Sequence, residues 1–436
     1  MRLDDVIESN WTIAYKPIGR YHGKQMADPA YPRLLSASLR AALADTPVVA
    51  ILGPRQCGKT TLARSLEPAY AYFSLDDEAT LAFARTDPAG FVAALPERAV
   101  LDEVQRVPEL LRALKLVVDG ERRPGRFVLT GSANLLQLPN LGDSLAGRME
   151  VLYLQPLSAS EMARKPGRFL GDLLQGRLRA ELHPAVLKPP ELAGRLLAGG
   201  FPQAVARAPV RARAWHRSYL QTLVERDARD VSRLRDTSAL MRLLELMALR
   251  TGELLNVSSL GNELGLQRAT VDHYLDVAER LFLLRRLHPW FRNESKRLVK
   301  TPKLHFVDSG LAGTLAGLMA EDWLAQRDRF GHLLESWVVQ QLVTQAGWTD
   351  PDLRFWHYRD KDQVEVDLVI TRGRHTWGVE VKSAMSALPA DGRGLRRLAE
   401  QCGKDFRGGV LLYAGESVIP LPGNHMLAVP LARLWD

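Results

Sequence analysis

Cysteine is nearly absent. Of 436 residues only Cys57 and Cys402 carry a thiol, which excludes a disulfide framework and a zinc site built on paired cysteines. Long apolar runs are missing too: none approaches the roughly 20 residues a helix needs to cross a bilayer, and the opening Met1-Arg2-Leu3-Asp4-Asp5 has no basic stretch leading into an apolar one. The expectation is a soluble, cytoplasmic protein with no membrane partner. Internal repeats and low-complexity tracts are also lacking, so the chain must be parsed by changes in its hydrophobic period. Neither sign of charge dominates: 58 Lys+Arg against 50 Asp+Glu leave a formal +8, which suits a polyanionic partner without requiring one. What is plentiful is apolar surface, at 46% hydrophobic residues, and a chain of this length divides into roughly two to four domains.

From Pro47 the pattern is α/β. Short apolar runs at Val48–Leu52, Ala71–Leu75, Ala99–Leu101, Phe127–Thr130 and Val151–Leu154 alternate with helix-competent segments, which predicts a five-stranded parallel sheet covered on both faces. After Gln155-Pro156 the chain turns to Leu/Ala/Arg-rich helix broken by Pro184, Pro189-Pro190 and Gly199-Gly200-Phe201-Pro202. Asn256 to Gly265 reads as a capped helix and Gln267 to Leu281 as a second, followed by strands Phe282–Leu287 and Lys303–Val307 around a basic loop; this is the outline of a winged helix. A helix from His332 to Ala346 then precedes strands at Leu353–Tyr358, Val364–Ile370, Thr376–Lys382 and Gly409–Tyr413, so a mixed sheet is expected at the C-terminal end.

The chemistry concentrates at Gly53-Pro54-Arg55-Gln56-Cys57-Gly58-Lys59-Thr60, which fits G-x-x-x-x-G-K-[ST] between an apolar strand and the helix-forming run that starts at Thr61. Glycines let backbone amides fold around phosphates and the helix N-terminus adds its dipole. Lys59 is expected on the β- and γ-phosphates of ATP, with Thr60 on Mg²⁺. An apolar strand ending in Asp102 and Glu103 supplies the acidic partner: Asp102 for the Mg²⁺ shell, Glu103 to polarise the attacking water. The next strand runs into Gly131-Ser132-Ala133-Asn134, where Asn134 is the candidate γ-phosphate sensor or a plain turn residue. Arg148 is the candidate for completing a neighbouring subunit's site, or a surface arginine. Cys57 either fills a tolerant position or, beside a helix N-terminus, is a reactive thiol.

These stretches, with Leu101-Asp102-Glu103-Val104-Gln105-Arg106-Val107-Pro108, Leu129-Thr130-Gly131-Ser132 and Leu145-Ala146-Gly147-Arg148, resemble AAA-type prokaryotic ATPases whose C-terminal half is a domain of unassigned function. The resemblance begins near Arg33. It implies an AAA+ core, a helical lid and homo-oligomeric, hexamer-like assembly. Near the other end, Glu365-Val366-Asp367 and Glu380-Val381-Lys382 on successive strands resemble the PD-(D/E)xK nuclease core, with Val366 where the motif has proline. That likeness implies Asp367 and Glu380 as ligands of a second divalent metal, Lys382 as the group activating water, and Glu335 as an auxiliary acid. The alternatives are a nuclease-like fold kept for docking, or an alternating strand with a polar face.

The expected fold is α/β: an AAA+ P-loop parallel sheet with a helical lid, a winged helix, and a C-terminal mixed α/β nuclease-like domain. Its boundaries are 33–160, 161–237, 238–320 and 321–436, with 1–32 given no role. If the winged helix binds DNA, Gln267, Arg268 and Thr270 face base edges while Arg292, Lys296, Arg297 and Lys300 meet phosphates; otherwise it is a packing module. The expected function is a Mg-dependent ATPase acting on or with DNA, with metal-dependent nuclease chemistry appended. The alternative is an ATP-controlled protein-interaction switch whose nuclease-like domain is inactive.

Overall fold

Val48–Leu52 (β1) is five consecutive buried residues, the signature of a strand with neighbours on both edges and cover on both faces. The computed structural model describes residues 31–132, 145–179, 187–228, 236–292 and 301–435. In it β1 joins Ala71–Ser74 (β2), Ala99–Asp102 (β3), Phe127–Gly131 (β4) and Met149–Tyr153 (β5) in an all-parallel sheet of order β2-β3-β4-β1-β5. Period-two alternation divides the side chains. Val48, Ala50 and Leu52 pack with Leu101 and Leu129 on one face, under the helix Leu110–Gly120. Val49 and Ile51 enter the cluster on the other face.

All five β1-to-β5 strands share one direction, so their C-terminal ends lie on one edge. The loop after β1 therefore meets the carboxylates that end β3, across the intervening β4. The helix Lys59–Arg64 (α1) starts directly from that loop.

The helical region supplies Pro209–Thr222 (α2), which continues as a π-helical turn, Leu223–Asp227. The Gly199-Gly200-Phe201-Pro202 signature has a packing role. Phe201 is buried against Trp215 and Tyr219 of α2, with ring centroids 5.4 and 4.9 Å away, and Gly200 donates its N–H to buried Asp308 at 2.6 Å. Gly199 has φ 67°, and a Cβ there would lie 2.3 Å from the Asp308 carboxylate.

Helices Val257–Leu264 (α3) and Arg268–Arg280 (α4) follow. Asn256 caps α3 by accepting from Ser259 N at 3.0 Å, and Gly265, left-handed, ends it. Leu284–Leu287 (β6) and Lys303–Phe306 (β7) then form an antiparallel ribbon. These elements occupy the segment read from sequence as a winged helix; its loop with Lys296, Arg297 and Lys300 lies outside the described residues, as does Asn134.

The long helix Arg327–Thr349 (α5) leads into Arg354–Arg359 (β8), Glu365–Arg372 (β9), His375–Val381 (β10), the helix Arg393–Cys402 (α6), Phe406–Tyr413 (β11), Ile419–Pro420 (β12) and Met426–Pro430 (β13). The six strands form a mixed sheet of order β12-β13-β11-β10-β9-β8. One face packs on α6. The other joins the same apolar cluster that holds Val49 and Ile51, so one core passes from the parallel sheet through α2, α4 and the ribbon to Ile370 and Leu412. Sequence segments 33–160, 161–237, 238–320 and 321–436 all contribute to it. Among the described residues no helix is long and apolar enough to cross a membrane.

Candidate nucleotide site and C-terminal acidic cluster

The loop after β1 is shaped by two left-handed residues, Gln56 at φ 61° and Gly58 at φ 105°. Its back is held from behind. Arg33 donates to Cys57 O, to Gln155 O at 2.6 Å and to buried Glu161 at 3.0 Å, while Cys57 is itself fully buried and donates Sγ–H to Leu154 O at 3.3 Å. Burial pushes the Cys57 thiol up, which removes the reactive-thiol alternative: the side chain packs the loop from beneath.

Lys59 is 4% exposed and its ammonium folds over the loop to Gly53 O at 3.0 Å and Pro54 O at 2.8 Å. Thr60 donates to Asp102 at 3.1 and 3.3 Å. Asp102 accepts in addition from Thr130 on β4 and from Tyr72 on β2, so three hydroxyls hold one buried carboxylate. Burial, then the hydrogen bond to Asp102, drives the Tyr72 phenol well above its ordinary value and keeps it a donor. A hydroxyl beside a carboxylate, next to a loop over which an ammonium is folded, is a hard oxygen set for Mg²⁺ that leaves the remaining positions to water and phosphate. The residues present thus fit Mg-ATP: Lys59 and the loop amides would hold the triphosphate, Thr60 and Asp102 the ion, which would neutralise phosphate charge.

Glu103 adopts φ 59° and donates its N–H to Thr130 Oγ1 at 3.1 Å. Its carboxylate accepts from Ser132 at 3.0 Å and from Gln105, which also donates to Ser132 at 2.9 Å. In front of it opens a cleft of about 460 Å³ lined by Arg55, Arg85, Arg106 and Arg226 against Asp76, Glu103 and Asp227. Four guanidinium groups facing three carboxylates suit a polyanion. Arg55, inside the loop, is ion-paired at 2.6 Å with Asp227 of the π-helical turn, and Tyr219 donates to Arg55 O at 3.2 Å. Pro54 is buried; Gln56 and Thr61 are exposed.

Arg148 sits at the opposite edge of the sheet. Its carbonyl accepts from Val48 N, at the start of β1, and its guanidinium pairs with Asp119. Within one chain it does not meet the nucleotide loop.

The C-terminal acids assemble differently from the expectation. Lys303, at the start of β7, puts its ammonium 2.8 Å from Glu335, 3.5 Å from Glu365 and 3.7 Å from Asp367. Asp367 accepts from Val381 N at 2.9 Å and shares a hydrogen bond with Glu380, while Lys382 turns to Asp391 at 3.6 Å with its side chain 46% exposed. Burial pushes the Glu335 carboxyl up and the Lys303 ammonium opposes that rise, while burial followed by Asp367 raises Glu380 well above the carboxylate range. The residues do not fit a divalent ion. Among the described residues no group of three or more His, Cys, Asp or Glu side chains is placed to hold a metal, and the cation among these carboxylates is an ammonium. Glu335, Asp367 and Glu380 do come together as the nuclease outline implies, with an organic cation in their midst.

On α4, Gln267 and Arg268 are exposed, Thr270 is half-buried, and Arg268 lies 3.7 Å from Asp272. Arg286 pairs with Asp276 and Glu279 of the same helix at 2.8 and 2.7 Å. Arg292 is exposed.

Sequence reasoning missed Tyr72, Gln105, Asp227, Arg33 and Lys303. Gln105 lies two residues from Glu103, whereas the others reach their partners from distant parts of the chain, brought there by strand register and packing. The one visible signal was a lysine opening the apolar run Lys303-Leu304-His305-Phe306-Val307.

Comparison with known proteins assigns the parts unevenly. Residues 45–163 match the AAA domain family, residues 190–322 a domain of unknown function (DUF8612), and residues 330–434 another (DUF4143). Uncharacterized proteins of Mycobacterium tuberculosis and Mycobacterium bovis are each 29% identical over 401 residues, spanning 92% of this chain and 83% of theirs. Among solved structures, a Walker-type ATPase of Pyrococcus abyssi is similar at a TM-score of 0.39 and 16% identity, covering 64% of this chain and 94% of that one. The RuvB Holliday junction branch migration motor of Thermotoga maritima gives 0.28 and 19%, over 58% and 87%. Likenesses that distant say nothing of activity. The AAA match, however, spans the loop, the acidic strand end and the strand between them, so residues 45–163 are similar to the AAA domain family and the chain is an ATPase.

Proposed function

We propose that this ATPase is a nucleotide-controlled interaction switch, in which Mg-ATP draws Arg55 from Asp227 and so reshapes the π-helical turn and the surface offered to a macromolecular client. The observation that carries it is the 2.6 Å ion pair between a residue of the phosphate loop and a residue of the helical region, at the mouth of the cleft that Glu103 faces. An arriving triphosphate competes with the Asp227 carboxylate for the same guanidinium. In this reading 33–160 binds nucleotide, 161–237 responds as a lid, and 238–320 with 321–436 face the client. Homo-oligomeric assembly, a hexamer included, would bring Arg148 to a neighbour's nucleotide only after its release from Asp119.

Hydrogen exchange of residues 223–228, with and without a non-hydrolysable Mg-nucleotide, tests the switch. Faster exchange on binding, reproduced without nucleotide by Asp227→Asn, is expected. Exchange unchanged by nucleotide would remove the proposal.

A second reading, action on DNA, is favoured by the exposure of Gln267, Arg268 and Arg292. The carboxylates of Asp272, Asp276 and Glu279 on the same helix weigh against it, because they oppose phosphate. Duplex-DNA affinity falling steeply with salt, with a slope reduced by about one in Arg268→Ala or Arg297→Ala, would establish that reading. DNA cutting in Mg²⁺ or Mn²⁺, lost in Asp367→Ala with Glu380→Ala, would restore the nuclease.

A further inference from the structure

Lys303 is a lysine that the fold treats as a core residue. Its side chain is 5% exposed, its neighbour Leu304 is fully buried, and its carbonyl and amide belong to the ribbon facing Leu287. Burying an ammonium to this depth is costly unless anions surround it. They do, and they come from two other elements: Glu335 from α5, Glu365 and Asp367 from β9. Arg359 takes the second oxygen of Glu365 at 2.9 Å, and Asp367 passes the contact on to Glu380. Gly394, in the first turn of α6, allows that helix to close over the cluster, since a Cβ there would lie 2.2 Å from Glu380 Oε1.

The distances separate an ammonium site from a metal site. Divalent ions hold carboxylate oxygens at about 2.0–2.6 Å. The three carboxylates stand 2.8, 3.5 and 3.7 Å from Nζ, the spacing of hydrogen-bonded and ion-paired nitrogen. Lys382, meanwhile, is paired with Asp391.

We infer that the ammonium of Lys303 is the resident cation of the C-terminal carboxylate cluster, replacing the divalent ion that the nuclease-like outline implies and fastening the β6–β7 ribbon to α5 and β9. The cluster is therefore a metal-independent joint between the ribbon and the C-terminal sheet. It rests on side-chain placement alone and stands or falls apart from the switch.

Mn²⁺ uptake by the nucleotide-free full chain, followed by electron paramagnetic resonance, tests the occupancy; thermal unfolding tests the joint. In the wild type, Mn²⁺ uptake is expected to be the same as in Asp367→Asn, and the unfolding midpoint the same with Mn²⁺ as with EDTA. Lys303→Met is expected to lower the midpoint by on the order of 5 °C, and the addition of Glu335→Gln to recover part of that loss by removing a carboxylate left without its cation. Should Lys303→Met fail to fold, the wild-type Mn²⁺ comparison still decides. A Mn²⁺ ion taken up by the wild type and lost in Asp367→Asn overturns the inference, and so does an unfolding midpoint unchanged in Lys303→Met.

Discussion

Glu103 and Lys59 show how little freedom the residues of this site retain. Glu103 is fixed by its own left-handed backbone, by Thr130 at its amide, and by Ser132 and Gln105 at its carboxylate. A carboxylate so aimed is suited to order and polarise water. Glu103→Gln is expected to bind Mg-ATP normally and hydrolyse it about 10²–10³ times more slowly, and Lys59→Ala to lose binding, as read by nucleotide titration and phosphate release. Unchanged turnover in Glu103→Gln would assign the water to another group. Lys59, Thr60 and Asp102 were legible in the sequence because the loop motif fixes the first two by chain spacing and the apolar strand ends on the third. Tyr72 was not, because its hydroxyl reaches Asp102 only through the parallel pairing of Ser74 with Asp102. Lys303 was not, because its carboxylates lie on elements 32 and more residues away.

At the scale of elements, the strand-to-helix unit β1, loop and α1 is pressed between two neighbours. Gly53 marks the pressure: a Cβ there would lie 2.0 Å from Leu154 O. Gly53→Ala is expected to cost about 3 kcal/mol, since the obstacle is backbone and cannot rotate away. Chemical denaturation would measure it, and a wild-type midpoint would contradict the close approach. Hydrophobic period found all five strands of this sheet within two residues, as continuous buried runs between turn residues allow. It did not find β12, since a two-residue strand carries no period, nor the five-residue β13, nor the π-helical turn, whose residues read as ordinary helix. The C-terminal carboxylate cluster was legible as acids on a helix and two strands and illegible as to its cation.

In the whole molecule, buried ionisable groups at the helical junction make stability depend on pH with opposing signs. His216 is fully buried, donates or accepts at Thr314 Oγ1 over 3.0 Å, and burial lowers its pKa to about 4. The folded chain then binds fewer protons than the unfolded chain, whose histidine titrates near about 6.5. Its stabilisation is therefore complete above about pH 6.5 and drains as pH falls towards about 4. Asp308, raised to about 6 by burial, works the other way: its contribution is complete below about pH 4 and fades as pH rises through about 6. The margin of wild type over His216→Gln should shrink by about 2 kcal/mol between pH 7 and pH 5. Denaturation at both values measures it, and a constant margin would mean that the ring ionises as freely folded as unfolded.

The apolar cluster shared by Ile51, Leu220, Leu275, Leu334 and Ile370 bears on how this chain comes apart. A fragment ending at residue 160 would present Val49, Ile51, Leu152 and Leu154 to water and clump, even with its phosphate loop intact. Heating is expected to give a single endotherm, and a truncation library to yield no soluble minimal ATPase.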